Sequence, residues 1–251
     1  MFEIDLTGKR AWVTGGSRGI GRATVLALAG AGCDVAVGFH AAQAEAEAVA
    51  REVEALGRRA IVVGADLGKV EACEAAHQRI AAELGHVDIL VNNAGAIRDK
   101  LFLLLDSADW AHVLDANLMS CVNATRTAVR AMWSKRAGRI INISSVAATR
   151  GGAGQSNYVA TKAAIEGITR SLAVEFGPRK ITVNCIAPGV IETEMSEALI
   201  ASSKDGLLER QIIKRFGRAD EIAAWVVWLA SAHTDFVSGQ VFHVDGGLKM
   251  A

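Results

Sequence analysis

The fold class predicted by the sequence is α/β, a single doubly wound domain whose seven-stranded parallel sheet is covered by helices on both faces. Three observations predict it. Short β-branched runs alternate strictly with longer Ala- and Glu-rich stretches. A glycine-rich turn separates the first such run from the first helix-like stretch. No linker, Ser/Gly-rich tract or fixed-period repeat interrupts the rhythm, and the only two prolines are Pro178 and Pro188.

The strands are expected at 10–14, 34–39, 60–64, 88–91, 139–144, 181–186 and 240–244, as apolar runs of the length that suits strands buried on both faces. Helices are expected at 20–30, 43–57, 69–85, 157–177 and 219–231, with further helices over about 107–135. Strand, helix, strand in this order implies right-handed crossovers. Residues 189–218 form the longest stretch without strand character. They follow a strand's carboxyl end, where open α/β sheets bind ligands, so they are expected to form a substrate lid within one domain spanning 1–251.

Composition narrows the function. Hydrophobic residues make up 51% of the 251 and charged residues 22%, enough apolar material for a large core and too little charge for a disordered chain. The 27 basic and 27 acidic residues cancel, so no global field draws the protein onto nucleic acid or an anionic membrane. Cys33, Cys73, Cys121 and Cys185 show neither a C-x-x-C pair nor metal-ligand spacing, and read as reduced core thiols with no bound metal. Glu3 and Asp5 precede any apolar run, unlike a secretory signal. The longest apolar stretch, 222–230, is far short of the roughly 20 residues that cross a bilayer. A soluble cytoplasmic protein is expected.

The turn Thr14-Gly15-Gly16-Ser17-Arg18-Gly19-Ile20-Gly21 has glycines where backbone amides must approach a pyrophosphate, and a helix N-terminus that faces it. A Gly-rich turn can also be a plain connector, but the strand before it and the helix after it favour dinucleotide binding. An acid at the end of the second strand would select NAD. That strand ends Gly38-Phe39-His40-Ala41-Ala42 without one, and Arg18 offers a guanidinium to a 2′-phosphate, so NADP(H) is expected, with His40 at its adenosine end.

Tyr158 and Lys162 stand four apart at the start of an Ala-rich helix and therefore share a face. An ammonium beside a phenol favours the phenolate and makes the phenol a workable proton donor. The pair alone is a weak motif. Ser145, thirteen residues earlier at the end of Ile141-Asn142-Ile143-Ser144-Ser145, could polarise a substrate carbonyl, or simply begin a turn. Asn92-Asn93-Ala94-Gly95, ending the fourth strand, lets backbone approach a flat ligand or serves as a turn.

Together these residues resemble the short-chain dehydrogenase/reductase family over nearly the whole chain: its TGxxxGxG at 14–21, its NNAG at 92–95, and its catalytic Ser and YxxxK at Ser145, Tyr158 and Lys162. The resemblance implies a Rossmann-type fold and assigns Asn117 as the fourth catalytic residue, holding a water on the path that reprotonates the tyrosine. A helix-satisfying role for Asn117 is compatible with that. It implies adenine contacts from Asp66 and Leu67, cofactor contacts from Gly15, Ser17, Arg18, Gly19, Ile20, Gly21, Asn93, Ala94 and Gly95, and closure over the nicotinamide by Pro188, Gly189, Ile191 and Thr193. Tyr158 would give a proton to a carbonyl oxygen held by Ser145, while Lys162 binds the nicotinamide ribose.

The finer pattern, including 93–99, 154–158, 187–193, 215–222 and 244–250, is similar to 3-oxoacyl-acyl-carrier-protein reductases. In them basic residues near the active-site mouth dock the acidic acyl carrier protein. Arg136 and Arg179 match two such positions, or are ordinary solvated arginines at helix ends. The resemblance also implies a homotetramer. An acetoacetyl-CoA reductase shares nearly all these motifs, and Arg150 could favour a CoA phosphate. A reductase of polyketides, a dehydrogenase of sugars or steroids, and an inactive NADPH-binding scaffold are the other readings. Trp225, Trp228 and Phe242 fit an interface but more often mean core.

Overall fold

The computed structural model describes residues 4–250. Its strands are β1 (Arg10–Val13), β2 (Asp34–Phe39), β3 (Ala60–Gly64), β4 (Ile89–Asn92), β5 (Gly138–Ile143), β6 (Ile181–Pro188) and β7 (Val241–Val244). Every neighbouring pair is parallel, in the order β3-β2-β1-β4-β5-β6-β7. The chain runs outward from β1 to β3 and then resumes on the other side at β4. This switch opens a crevice beyond the carboxyl ends of β1 and β4.

The helices are α1 (Gly19–Gly30), α2 (Gln43–Ala55), α3 (Val70–Glu83), α4 (Ser107–Val113), α5 (Ser120–Lys135), the single turn α6 (Ala147–Arg150), α7 (Ser156–Phe176), α8 (Glu194–Glu209) and α9 (Ala219–Ala230). Successive strand residues point to opposite faces, and both faces are buried. Val13, Val37, Val91 and Ile141 pack with Leu28 of α1 and Val226 of α9, while Trp12, Ala36, Leu90 and Ile140 pack with Ile80 of α3 and Met132 of α5. That double burial is why the strands read as unbroken apolar runs.

Three places add what the sequence left open. The helices expected over about 107–135 are α4 and α5, joined by a π-helix, Leu114–Met119. The 189–218 segment contains α8, with a break in helical geometry at Ser203 (φ −143°, ψ 23°). None of the residues of α8 is fully buried, and only Ile200, Leu207 and Leu208 pack, half-buried, on a small cluster of Val146, Val190, Phe216 and Leu248, so its apolar stripe is weak. The ends of the segment are pinned together: Glu192 N donates to Gly217 O at 2.9 Å and Gly217 N to Val190 O at 3.0 Å. Finally, Trp225 is 36% exposed and lies 5.2 Å, ring to ring, from Phe242, which is half-buried against one of the two main cores.

All four cysteines are buried and free. Burial pushes the thiols of Cys33, Cys121 and Cys185 up to about 12, so they stay protonated at neutral pH and are poor nucleophiles. No helix among the described residues is long and apolar enough to cross a membrane.

Candidate active site

A cavity of about 1790 Å³ occupies the crevice at the carboxyl ends of the strands. One end of it is the turn between β1 and α1. Helix α1 begins with no side-chain cap and no acid in its first turn, which leaves its N–H groups and positive dipole end to an anion. The glycines here answer to space. A Cβ on Gly21 would stand 2.0 Å from Gly15 O, and one on Gly15 would stand 3.0 Å from Ala94 Cα. Gly15 and Gly19 also take positive φ, at 62° and 53°.

The turn is held from β4. Asn93 Nδ2 donates to Thr14 O at 3.0 Å and Gly15 O at 2.9 Å, while Thr14 Oγ1 accepts from the backbone N–H groups of Asn93 and Ala94, both at 3.0 Å. Asn93 therefore fastens the turn as well as lining the cavity, a clamp invisible until β1 and β4 are known to be neighbours.

His40, Asp66 and Leu67 line the same cavity beyond the turn, as do Ser17, Arg18, Ile20, Ala94 and Gly95. Arg18 does not stand free: its guanidinium lies 2.9 Å from Glu194 at the start of α8. Glu45, in the first turn of α2, also faces this end, an acid that inspection of β2 alone could not reveal. These features fit a dinucleotide: a cradle that a Cβ would fill, an uncapped helix N-terminus, and an arginine at its flank.

The other end of the cavity collects Ser145, Tyr158 and Lys162 from β5 and α7. Tyr158 is half-buried, and Lys162 Nζ lies 5.6 Å from the centre of its ring. Lys162 is buried and donates to Ile143 O at 2.9 Å, so its ammonium is fixed in position. Ser145 faces the cavity, and its Oγ accepts from Ala147 N at 3.2 Å, the turn contact that the sequence left open. Pro188, Gly189, Ile191 and Thr193 complete the wall where β6 leaves the sheet.

A buried polar ladder that sequence reading missed holds these pieces. Asn92 Nδ2 donates to Asn142 Oδ1 at 2.8 Å, and Asn142 Nδ2 donates to Thr169 Oγ1 at 2.8 Å, tying β4, β5 and α7 together. Ser144 Oγ donates to Glu166 Oε1 at 3.0 Å one turn beyond Lys162. Asn142 and Thr169 stand 27 residues apart, so only the packed helix brings them together.

Asn117 is fully buried within the π-helix and does not line the cavity directly. Its Oδ1 accepts from Ala96 N at 2.7 Å, and its Nδ2 donates to Ala96 O at 3.1 Å and Thr161 Oγ1 at 3.0 Å. A Cβ on Gly95 would lie 3.0 Å from Asn117 Oδ1 and 3.7 Å from Lys162 Nζ, so only glycine leaves the space between them open. The wider π turn carries Asn117 to this point, a common use of such turns. Asn117→Ala strands the polar groups of Ala96 and is expected to lower unfolding free energy by about 2–4 kcal/mol. Urea denaturation checks it, and a loss under about 1 kcal/mol would show that water replaces these bonds without cost.

Arg136 and Arg179 do not stand at the mouth of this cavity. Each follows a helix and precedes a strand, which places both at the amino ends of the strands, across the sheet from the site. There Arg136 donates to Pro178 O at 3.2 Å and the Arg179 guanidinium stacks 4.5 Å from the Trp133 ring. They form one basic surface with each other, apart from the crevice of their own chain.

A switch-point crevice with a glycine cradle and a fixed Ser/Tyr/Lys group defines a nicotinamide-dependent oxidoreductase acting on CH–OH or C=O groups. The family model for short chain dehydrogenases matches residues 9–204, and the chain belongs to that family. In particular, it is 40% identical over 242 residues to 3-oxoacyl-[acyl-carrier-protein] reductase FabG of Staphylococcus epidermidis, covering 96% of this chain and 99% of that one. It is 44% identical over 251 residues to Nodulation protein G of Rhizobium meliloti, covering 100% of both. Among solved structures, a gluconate 5-dehydrogenase from Burkholderia cenocepacia in complex with NADP and tartrate superposes with a TM-score of 0.94 at 34% identity, covering 99% of this chain and 98% of that one.

Proposed function

We propose that this enzyme reduces a 3-oxoacyl thioester to the 3-hydroxyacyl thioester with NADPH. The observation that carries the substrate class is the apolar part of the cavity wall. Val146, Met195, Leu199, Leu207 and Leu248 line the cavity, with Val146, which follows Ser145 in the chain, Leu207 and Leu248 in one hydrophobic cluster, and offer an apolar surface to an acyl chain. The kinship with the staphylococcal reductase supports the same reading.

A bound reduced nicotinamide supplies the hydride. This chain's own residues do the rest. Ser145 donates a hydrogen bond to the ketone oxygen and holds it, and Tyr158 delivers the proton to that oxygen as negative charge develops. Lys162, fixed by Ile143 O, stabilises the resulting phenolate and binds the nicotinamide ribose. Asn117, across the gap left by Gly95, holds a water through which the phenolate is reprotonated. Gly15, Ser17, Gly19, Ile20, Gly21, Asn93, Ala94 and Gly95 cradle the dinucleotide, Asp66 and Leu67 take its adenine, and Pro188, Gly189, Ile191 and Thr193 close over the nicotinamide. Residues 189–218 are the substrate lid, with α8 as its moving part and the Ile191–Gly217 bridge as its base. The acyl carrier protein docks on Arg136 and Arg179, supplied in a homotetramer by a neighbouring copy.

Selection of NADPH rests on Arg18 and His40. Glu194 competes for Arg18 with the 2′-phosphate, so Glu194→Gln is expected to lower KM for NADPH about two- to fivefold, the range of an exposed ion pair. KM for NADH should move less. Steady-state titrations of both cofactors check this, and equal shifts would remove Arg18 from 2′-phosphate recognition.

The test of the reading as a whole is NADPH oxidation with 3-oxobutyryl thioesters on carrier protein and on coenzyme A, beside 5-ketogluconate. Faster turnover of the thioesters is expected. Turnover of the sugar acid alone would overturn the substrate class.

A further inference from the structure

Among the described residues two charged side chains are buried, Lys162 at 4% exposure and Glu166 at 7%. They stand one helical turn apart on α7 and share a face of it. Lys162 belongs to the reacting group. Glu166 does not line the cavity, and the mechanism leaves it without a task. Carboxylates are almost never buried unless they are paired. The charge of this one acts on Cys185 of β6 and His243 of β7, and Cys185 packs with Cys121 and Ile165 in a small apolar cluster.

What Glu166 holds is the end of β5. Ser144 Oγ donates to Glu166 Oε1 at 3.0 Å and lies 3.2 Å from Lys162 O, so one hydroxyl ties the strand end to α7. Ser144 stands between two residues that the chemistry uses. Its predecessor Ile143 accepts from Lys162 Nζ at 2.9 Å, and its successor Ser145 lines the cavity. Planar peptides link these three residues, so a displacement of Ser144 is passed to both neighbours.

We propose that Glu166 is a positioning residue: through Ser144 it sets both the Ile143 carbonyl that fixes Lys162 and the place of Ser145 in the cavity. This rests on Ser145, Tyr158 and Lys162 as the reacting group, not on the identity of the substrate. Misplacement of a reacting group by about 1 Å costs up to about 100-fold in rate. The phosphate turn is held from β4 by Asn93 and does not depend on the tie. Loss of the tie therefore lowers kcat and leaves KM for NADPH nearly unchanged.

Glu166→Leu removes the acceptor and keeps bulk and helix preference. Ser144 retains Lys162 O as an acceptor in this variant, so no buried donor is stranded. In Glu166→Leu kcat is expected to fall about 10- to 100-fold, while KM for NADPH moves less than about threefold. Glu166→Gln keeps Oε1 and should hold kcat within about threefold of wild type. Ser144→Ala cuts the same tie from its other end, so S144A/E166L should be no slower than E166L alone. A kcat within about twofold of wild type in Glu166→Leu, equal losses in the Leu and Gln variants, or additive losses in the double variant would each overturn the proposal.

Hydrogen exchange reads the tie without any substrate. Amides over 143–147 are expected to exchange at least about fivefold faster in Glu166→Leu than in wild type, with β1 unchanged. Unchanged exchange over 143–147, or an equal rise in β1, would make Glu166 an ordinary stability residue and overturn the assignment. If the wild type turns over no thioester, the proposed reaction falls and the exchange result decides the tie by itself.

Discussion

Tyr158→Phe is expected to lower kcat by about 10³-fold, the middle of the range for loss of a general acid. The substitution is clean because the ring and the hydroxyl do different things. The ring contributes packing and lies 5.6 Å from Lys162 Nζ, and phenylalanine keeps both features. Only the hydroxyl of this cavity-lining side chain is lost. Cofactor affinity should therefore change by no more than about tenfold, the most that loss of one neutral hydrogen bond costs. Tyr158 is the only tyrosine in the chain, so its ultraviolet titration in the wild type is free of background. Stopped-flow reduction of a 3-oxoacyl thioester checks the rate. Retention of more than about a tenth of wild-type kcat would show that another group delivers the proton.

Gly21→Ala is expected to weaken dinucleotide binding at least about 100-fold and to destabilise the fold by about 1–3 kcal/mol, as overpacking does. The reason is position, not backbone strain. The new methyl would stand 2.0 Å from Gly15 O and 2.6 Å from Asn93 Nδ2, the donor and acceptor that fasten the phosphate turn to β4. The turn must move to admit it, and the cradle moves with the turn. Gly30→Ala on the same helix is the control, because nothing lies within 4 Å of its Cβ position. There the change should be neutral or stabilising by up to about 1 kcal/mol. Fluorescence titration of NADPH and thermal unfolding of both variants separate the cases. Equal behaviour of the two would mean that the turn is pliable and that close packing at Gly21 does not set the cradle.

Much of this architecture was legible along the chain. Strands buried on both faces announce themselves as unbroken apolar runs, and helices between them leave parallel pairing as the simplest solution. The Ser, Tyr and Lys of the site could be named because each falls at the end of a strand or one helical turn from the next. Helix α8 and the π turn between α4 and α5 were not legible. α8 has no fully buried residue and touches only a small cluster, through half-buried Ile200, Leu207 and Leu208, and a π turn changes hydrogen bonding without changing residue preference.

The sequence by itself determined the order of the elements and the glycine turn, and it singled out Ser145, Tyr158 and Lys162, which the fold brings to one cavity. These depend on local backbone freedom and on spacings of a few residues. Only the tertiary structure decided what lies across space. Asn93 grips the phosphate turn because β4 pairs with β1. Arg136 and Arg179 stand at the strand starts, opposite the crevice, because both follow helices that run back down the sheet. Glu194 reaches Arg18 across 176 residues. Charge and hydrogen-bond partnership act over ångströms between groups that the chain keeps far apart, so they are settled by packing and not by sequence proximity.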